Sequence, residues 1–530
     1  VEDLGDIEIL CADKTGTLTE NKLQLERIFA QDKDKCLLYG LLSSPYIKEE
    51  IESVRNPFDL ALFRKASPEI RQYLKKVKSI GEIPFDPFRL KNSVLLDDLE
   101  GNRILIVKGA PEIILKISSG FESNFKKEEI EKEIEREGGE GKRILAVAFK
   151  KFGKNEFTEE DEKDLTLLGY FSFQDPLKKT AKEAVQLAKK LGLRIKILTG
   201  DSKEVAGKIA QEIGLIENPE KVILGETLDS FSSDDFEKTC QEFSVFSRVS
   251  PQTKYKIVDA LQKKYEVGFL GEGINDAPAL KIANVAIAVR EGADISREVS
   301  DIILLKKDLR VVVDGIREGR NIFCNINKYI KCILASNFGN FYSIAVISLI
   351  IPFLPMLPIQ ILLGNLLSDF PLISIASDNV DIEELRRPKL YQLNKVIRLV
   401  MFLALVSTIF DFIFFGIFYA RVQPAVLQTL WFIESILTEI LLIFSIRTSG
   451  FFLKAKLPSL SLTILTFLTM LIVIFLPFTN LGKEFFHFVS PPVIPLLIVF
   501  FLLINYFIVS EIVKLIYYRY YWKTPEIKRK

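Results

Sequence analysis

No excess of either charge marks this chain. Its 70 Lys and Arg against 69 Asp and Glu leave a formal net charge of +1, so nothing argues for a nucleic-acid partner, whose binders carry a strong basic imbalance. Cysteine is scarce and unpatterned: Cys11, Cys36, Cys240, Cys324 and Cys332 show neither paired nor metal-ligand spacing, and they read as reduced thiols of a cytosolic face. A secretory-signal pattern is also lacking, and Val1-Glu2-Asp3-Leu4-Gly5 reads as a start in mid-domain. What is abundant is apolar and aromatic. With 41 Phe and 15 Tyr and a positive mean hydropathy, the composition implies a membrane. The 530 residues allow about three domains at roughly 150 residues each.

Residues 1 to about 325 are charged and periodic, as in a globular enzyme, whereas from about 329 long apolar runs alternate with short polar breaks. Six runs are long enough to cross about 30 Å of hydrocarbon as helices, at about 330–351, 356–376, 397–420, 426–446, 459–478 and 492–518. An even number returns the tail to its starting side. Segments on that side carry Arg386, Arg387 and Lys389, then Arg447, Lys454 and Lys456, then Arg519, Lys523, Lys528, Arg529 and Lys530. The opposite loops carry little beyond Arg421 and Lys483. This bias predicts a multi-pass cell-membrane protein whose soluble half and carboxyl terminus face the cytosol.

In the soluble half a strand at Ile7–Cys11 stands about 160 residues before a second set of elements. Strands are expected at Leu167–Phe173, Ile195–Leu198, Val245–Ser247 and Val267–Leu270, and helices at Lys178–Leu191, Lys203–Ile213, Pro251–Lys264 and Ala277–Ala283. Alternation at that spacing argues for a parallel, helix-covered sheet with an inserted domain. Ligands sit at the carboxyl ends of the strands in such sheets.

The chemistry-bearing motifs fall at those ends. Asp13-Lys14-Thr15-Gly16-Thr17-Leu18-Thr19 puts a carboxylate into a loop rich in hydroxyls and backbone amides, suited to phosphate and to covalent phosphorylation of the carboxylate. Thr199-Gly200-Asp201 follows another strand, and Lys254 opens a helix where its charge would neutralise a transferring phosphate. Gly271-Glu272-Gly273-Ile274-Asn275-Asp276 sets two carboxylates beside glycines, which suits Mg²⁺.

Asp13 to Thr19 resembles the phosphorylation signature of the P-type ATPases, and Asp13, Thr199, Lys254 and the acidic loop occur in the order of that family's haloacid-dehalogenase-like domain. One position departs, because the family has Gly-Asp-Gly where Gly271-Glu272-Gly273 stands. Phe85-Asp86-Pro87-Phe88-Arg89 and Lys108-Gly109-Ala110-Pro111-Glu112 resemble the family's nucleotide-binding domain. The resemblance implies Phe85 for adenine stacking, Lys108 with Gly109 for the adenine pocket, Arg89 and Arg143 for phosphate, and Asp175 in a return hinge that, with Asn275, faces the nucleotide. It implies catalytic roles for Asp13, Lys14, Thr15, Thr199, Gly200, Asp201 and Lys254, and a catalytic Mg²⁺ on Asp13, Thr15, Glu272 and Asp276.

Hard oxygen groups inside the apolar runs mark an ion path: Asn337 and Asn340, Gln360, Asn365 and Asp369, Asp411, Glu434 and Glu439, with prolines at Pro352, Pro355, Pro358 and Pro371. Ser336-Asn337-Phe338-Gly339-Asn340, Asn365-Leu366-Leu367-Ser368-Asp369, Asp378-Asn379-Val380-Asp381 and Trp431-Phe432-Ile433-Glu434 are similar to the magnesium-importing subgroup. The implied ligands of the transported ion are Asn337, Asn340, Asn365, Asp369 and Glu434.

The expected fold is therefore an α/β haloacid-dehalogenase-like Rossmann domain with an inserted α+β nucleotide-binding domain, followed by an all-α bundle of six transmembrane helices. The expected boundaries are 1–24 with 175–325 for phosphorylation, 25–174 for nucleotide, 326–518 for the membrane and 519–530 for a basic cytosolic tail. The resemblance implies ATP and Mg²⁺ as cofactors and ATP-driven cation transport, Mg²⁺ import foremost, with Ca²⁺ or H⁺ as other cargoes. A catalytically impaired membrane regulatory subunit is the alternative from a different class. A full pump of this type also carries an actuator domain and four more spans ahead of its phosphorylation loop. The expectation is thus a fragment, half of a split pump or a decayed gene product, partnered by an amino-terminal half.

Overall fold

Seven parallel strands run in the order Ile223–Leu224, Val245–Ser247, Arg194–Leu198, Ile9–Ala12, Val267–Gly271, Val285–Val289 and Ile302–Leu304 in the computed structural model, which describes residues 2–14, 16–20, 22–44, 56–86, 88–122, 127–388 and 392–521. Thr15, Pro87, Lys389, Lys523, Lys528, Arg529 and Lys530 lie outside the described residues. The strands Ile9–Ala12, Val267–Gly271 and Val285–Val289 are apolar throughout and buried on both faces, as strands flanked by helices on either side must be. Ile9–Ala12 sits between Arg194–Leu198 and Val267–Gly271, so the strand order reverses about it. The carboxyl ends of these three neighbours therefore lie side by side, the usual place for a ligand in such a sheet.

The second sheet is mostly antiparallel and runs in the order Gln24–Ala30, Leu165–Gln174, Arg143–Lys151, Arg103–Gly109, Lys91–Asp97 and Lys78–Asp86. Its two faces are covered by separate apolar clusters, one around Leu41, Leu62 and Phe171, the other around Leu105, Ile114 and Tyr170. One expectation is corrected here. The strand anticipated at Leu167–Phe173 belongs to this sheet and not to the parallel one, pairing with Gln24–Ala30 and Arg143–Lys151. Local alternation gives a strand's existence but not its partner, because pairing is fixed by residues more than a hundred positions away. Both sheets belong to one compact unit, Ile9–Lys189 with Leu193–Val313.

The other unit holds Asp314–Lys530 together with Val1–Glu8 and Lys190–Gly192. Among the described residues six helices are long and apolar enough to cross a membrane: Leu309–Ile350, Pro358–Ser374, Leu393–Phe418, Pro424–Ile446, Leu460–Phe475 and Val493–Tyr520. The first departs from the expected start near residue 330, since it is one continuous helix of 42 residues. At 1.5 Å per residue it is about 63 Å long, twice the bilayer's hydrocarbon. The change from polar to apolar composition falls within it without breaking the hydrogen-bond ladder. The fourth helix is the centre of the bundle, with 83% of its apolar window buried against 28% for the first, fifth and sixth. The guanidinium of Arg320, buried on the first helix, donates to the carbonyls of Gly5, Ile7, Leu191 and Leu385 at 2.6–2.9 Å. Four chain positions are thereby fastened to one side chain.

Candidate functional site

Asp13 follows the strand Ile9–Ala12 directly, Thr199 follows Arg194–Leu198, and Glu272 follows Val267–Gly271. The three groups sit at the carboxyl ends of adjoining strands because register pairs Ala12 with Ile197 and with Leu270. Lys254 comes from the helix Pro251–Gln262, whose N-cap Ser250 accepts from the Thr253 amide at 3.1 Å. Its ammonium, almost wholly buried, donates to Asp13 Oδ2 at 2.9 Å and to Asp276 Oδ1 at 2.8 Å. Burial pushes this lysine down, but Asp13 and Asp276 outweigh the desolvation and hold it above its usual value, so it stays a cation.

The two acids of the second motif do different things. Asp276 is buried, and its Oδ2 accepts from the amides of Glu272 and Gly273, each at 3.1 Å, while Oδ1 accepts from Lys254. Both oxygens are engaged, so Asp276 shapes the loop. The carboxylates of Asp13 and Glu272 remain partly open, 23% and 32% exposed. Two accessible hard oxygen donors at neighbouring strand ends fit Mg²⁺. Glu272 forms an ion pair with Lys307.

Asp201 is shared by two cations, Lys14 at 2.5 Å and Arg143 at 2.6 Å. Burial pushes its carboxyl up, yet Lys14 and then Arg143 bring it below the usual range. A depressed carboxyl stabilises the fold fully above its unfolded value near 4, and that contribution is lost as the pH falls through the folded value. Arg143→Ala is therefore expected to shrink the acid-side loss of thermal stability, read from melting temperatures between pH 7 and pH 3. An unchanged pH profile would remove the pair from any role in acid stability. The Thr199 hydroxyl is buried and accepts from the Asp201 amide at 3.2 Å, which leaves its proton to donate. Gly200 is exposed beside it. Asp175 accepts from Thr19 Oγ1 at 2.6 Å and from the Lys22 amide at 3.3 Å, while the Gly16 amide donates to Thr19 Oγ1 at 3.1 Å. Asp175 thus anchors the loop that carries Asp13. Asn275 is exposed next to Asp276.

On the antiparallel sheet Phe85 is 58% exposed, as a stacking ring must be. Lys108 is buried in an ion pair with Asp59 at 2.6 Å and also donates to Ser44 Oγ and the Gly40 carbonyl. Gly109 abuts the Leu90 carbonyl so closely that a Cβ would collide with it. Arg89 donates from Nη2 to both oxygens of Glu162, at 2.5 and 2.6 Å. Asp59 and Glu162, the partners of the two basic groups, carry no sequence signal of their own.

In the helix bundle Asn337, Asn340 and Asn365 line one cavity of about 530 Å³, with Trp431, Ser435 and Glu439. Asn340 donates to the Glu439 carboxylate and accepts from Ser435 Oγ at 3.2 Å. Asp369 is exposed, and Glu434 is buried outside the cavity lining. Five helical residues rotate by about 140° beyond one turn, so Glu434 and Glu439 project from different sides of one helix. Asp411 is buried and accepts from Ser343 Oγ at 2.6 Å and Trp431 Nε1 at 2.7 Å.

A family model described as haloacid dehalogenase-like hydrolase matches residues 7–284, more than half of the chain. The chain belongs to this family. A second model, cation transporting ATPase, C-terminus, matches residues 353–516 of the chain. The sequence is 36% identical over 504 residues to the "Magnesium-transporting ATPase, P-type 1" of Escherichia coli (strain K12), covering 91% of this chain and 56% of that protein. It is 35% identical over 545 residues to the protein of the same name from Salmonella typhimurium (strain 14028s / SGSC 2262), covering 98% and 59%. A "Calcium-transporting ATPase" of Bacillus subtilis (strain 168) is 30% identical over 541 residues, covering 90% and 60%. The chain thus spans a little over half the length of the curated relatives it matches. It is homologous to the carboxy-terminal portion of the P-type ATPases, with the resemblance seen in its motifs extending nearly end to end.

Proposed function

We propose that this chain drives cation movement with ATP through a phosphorylated carboxylate at Asp13, as the catalytic and carboxy-terminal membrane portion of a pump whose cargo is Mg²⁺. The observation that supports this most directly is the Lys254 ammonium held between Asp13 and Asp276. In this reading an Asp13 oxygen forms a bond to the γ-phosphorus of ATP while the β,γ-bridging P–O bond breaks and ADP leaves with the electron pair. No base is needed, because the carboxylate attacks as an anion. Lys254 offsets the charge on the transferring group, and the Thr199 hydroxyl and the Gly200 amide hold its oxygens. Lys14 and Asp201 keep that wall in place. Mg²⁺, held by Asp13, Thr15, Glu272 and Asp276, would neutralise the phosphate oxygens when bound, and Asp276 also positions the loop.

Residues 1–24 with 175–325 would form the phosphorylation domain, 25–174 the nucleotide domain, 326–518 the membrane domain and 519–530 a cytosolic tail. Phe85 offers its ring to adenine, Lys108 and Gly109 shape the pocket behind it, and Arg89 and Arg143 meet the phosphates. Asp175 and Asn275 border the nucleotide's path to Asp13. For the transported ion, Asn337, Asn340 and Asn365 would offer their oxygens in the cavity, with Asp369 and Glu434 as further ligands and Glu439 joining them beside Asn340. The catalytic domains would lie in the cytosol, and an actuator-bearing amino-terminal portion would complete the machine.

The test is labelling with γ-³²P-ATP, expected to give a hydroxylamine-sensitive phosphoprotein. Absence of label would favour the second reading, a membrane regulatory subunit, for which Glu272 in place of the family's Asp is the motive. In the pump assembled with an actuator-bearing portion, Mg²⁺ is expected to accelerate loss of the phosphate; acceleration by Ca²⁺ or H⁺ alone would change the cargo. Glu272 adds a methylene, and a 1 Å displacement costs about a hundredfold in rate. Glu272→Asp should therefore speed acyl-phosphate formation by about tenfold or more, and an unchanged rate would show that Glu272 does not limit it.

A further inference from the structure

Each carboxylate at the strand ends is already matched to a lysine: Asp201 to Lys14, Asp13 and Asp276 to Lys254, and Glu272 to Lys307. The last pair is the unusual one, because Lys307 has no part in the proposed phosphoryl transfer, whereas its partner Glu272 is a carboxylate assigned to the metal. We propose that Lys307 is a tethered competitor of the divalent cation at Glu272, holding that carboxylate in the metal-free site and giving it up when the metal enters. The inference rests on the reading of Glu272 as a ligand of the catalytic cation.

Three features of the site carry it. The Lys307 ammonium reaches Glu272 and also lies over Gly16 of the Asp13 loop, where a Cβ would run into the ammonium and the methylene behind it. It therefore stands between the acid and the loop that carries the nucleophile. The backbone at Lys307 is fixed: Lys178 donates to the carbonyls of both Gly16 and Lys307, and Asp308 accepts from Thr180 Oγ1 at 2.8 Å and from the Arg310 amide at 2.8 Å. The side chain is not fixed in the same way. It is 16% exposed, has a four-carbon flexible stem, and has solvent beside it when it swings out.

The glutamate makes the arrangement possible, since an aspartate would end one bond short and loosen the pair. A divalent cation beside Glu272 repels a fixed ammonium, so the two cannot hold the carboxylate together at low cost. A partly exposed ion pair is worth up to about 1 kcal/mol. Metal binding displaces that pair, and affinity is lowered by the corresponding factor.

The experiment uses the full chain in detergent without nucleotide, with Mn²⁺ as the probe and its free paramagnetic signal as the readout. Lys307→Met, close in shape and uncharged, is expected to tighten Mn²⁺ binding about fivefold, which is the factor set by a pair of that strength. Lys307→Arg, which keeps the charge, should bind within twofold of the parent, and Glu272→Gln should weaken binding. Equal or weaker Mn²⁺ binding by Lys307→Met overturns the proposal, as does equal tightening in Lys307→Arg, since charge would then not be the cause. A parent chain with no Mn²⁺ binding at this site overturns it too. Lys307→Gln provides a second neutral variant should Lys307→Met fail to fold. Failure of ATP to label Asp13 would sink the pump reading without touching this measurement, so the two failures are separable.

Discussion

Asp13→Asn should reduce the hydroxylamine-sensitive phosphate to background while leaving the chain folded. The substitution removes the charged oxygen that attacks phosphorus but keeps the shape of the side chain, and loss of a covalent nucleophile typically costs on the order of 10³- to 10⁶-fold. Lys254 would retain Asp276 at 2.8 Å, so its ammonium is not left without an anion. The expected change in stability is accordingly small, about 1 kcal/mol, as for one lost charge-assisted contact at a partly open site. Phosphate incorporation by the variant at a tenth of the parent's level or more would show that another residue takes the phosphoryl group, and the mechanism would fall.

The largest effect on stability is expected from a residue with no part in the chemistry. Asp378 follows the second span helix, is buried, and accepts from Lys328 Nζ at 2.9 Å, from Arg447 Nε and Nη2 at 3.2 and 3.1 Å, and from the Ser459 amide at 3.1 Å. Lys328 lies on the first helix, Arg447 caps the fourth and Ser459 caps the fifth. One carboxylate therefore ties the middle of the first helix to the ends of the second, fourth and fifth. Burial pushes this carboxyl up, but Lys328 and Arg447 together bring it below the usual range.

Asp378→Asn leaves two nearly buried cations facing an uncharged amide, and breaking a buried ion pair from one side costs roughly 3–5 kcal/mol. Removing Lys328 as well, in Asp378→Asn with Lys328→Met, should recover part of that loss, because one stranded charge disappears. Thermal unfolding in detergent decides the matter: a single variant within about 1 kcal/mol of the parent contradicts the assignment of Asp378 as the bundle's tie. The sign of the pH dependence follows from the depressed carboxyl. Its contribution is full above the unfolded value near 4 and is lost as the pH falls through the folded value.

Much of this was legible in residue order. Asp13, Thr199 and Glu272 each stand one step past a buried strand, so the pattern that makes the strand also puts the polar residue at its carboxyl end. The six long apolar helices follow from hydrocarbon thickness alone, and their limits shift mainly where a helix continues past its apolar run. The first helix begins at Leu309 for that reason, since a composition boundary does not stop an i to i−4 ladder. Strand partnership was less accessible: Leu165–Gln174 reads as one more alternating element and pairs in the other sheet.

Sequence by itself determined the family, the order of the motifs, the polar residue that stands at each strand end, and the number of long apolar helices. These are properties of short windows, in which period, length and residue type carry the information. Tertiary structure alone decided which lysine stands at which acid, that Lys307 closes on Glu272, that Glu439 and not Glu434 reaches the cavity with Asn340, and that Asp378 gathers Lys328 and Arg447. The physical reason is that an ion pair or a cavity wall depends on the direction of side chains from segments tens to hundreds of residues apart, and no local period encodes that direction.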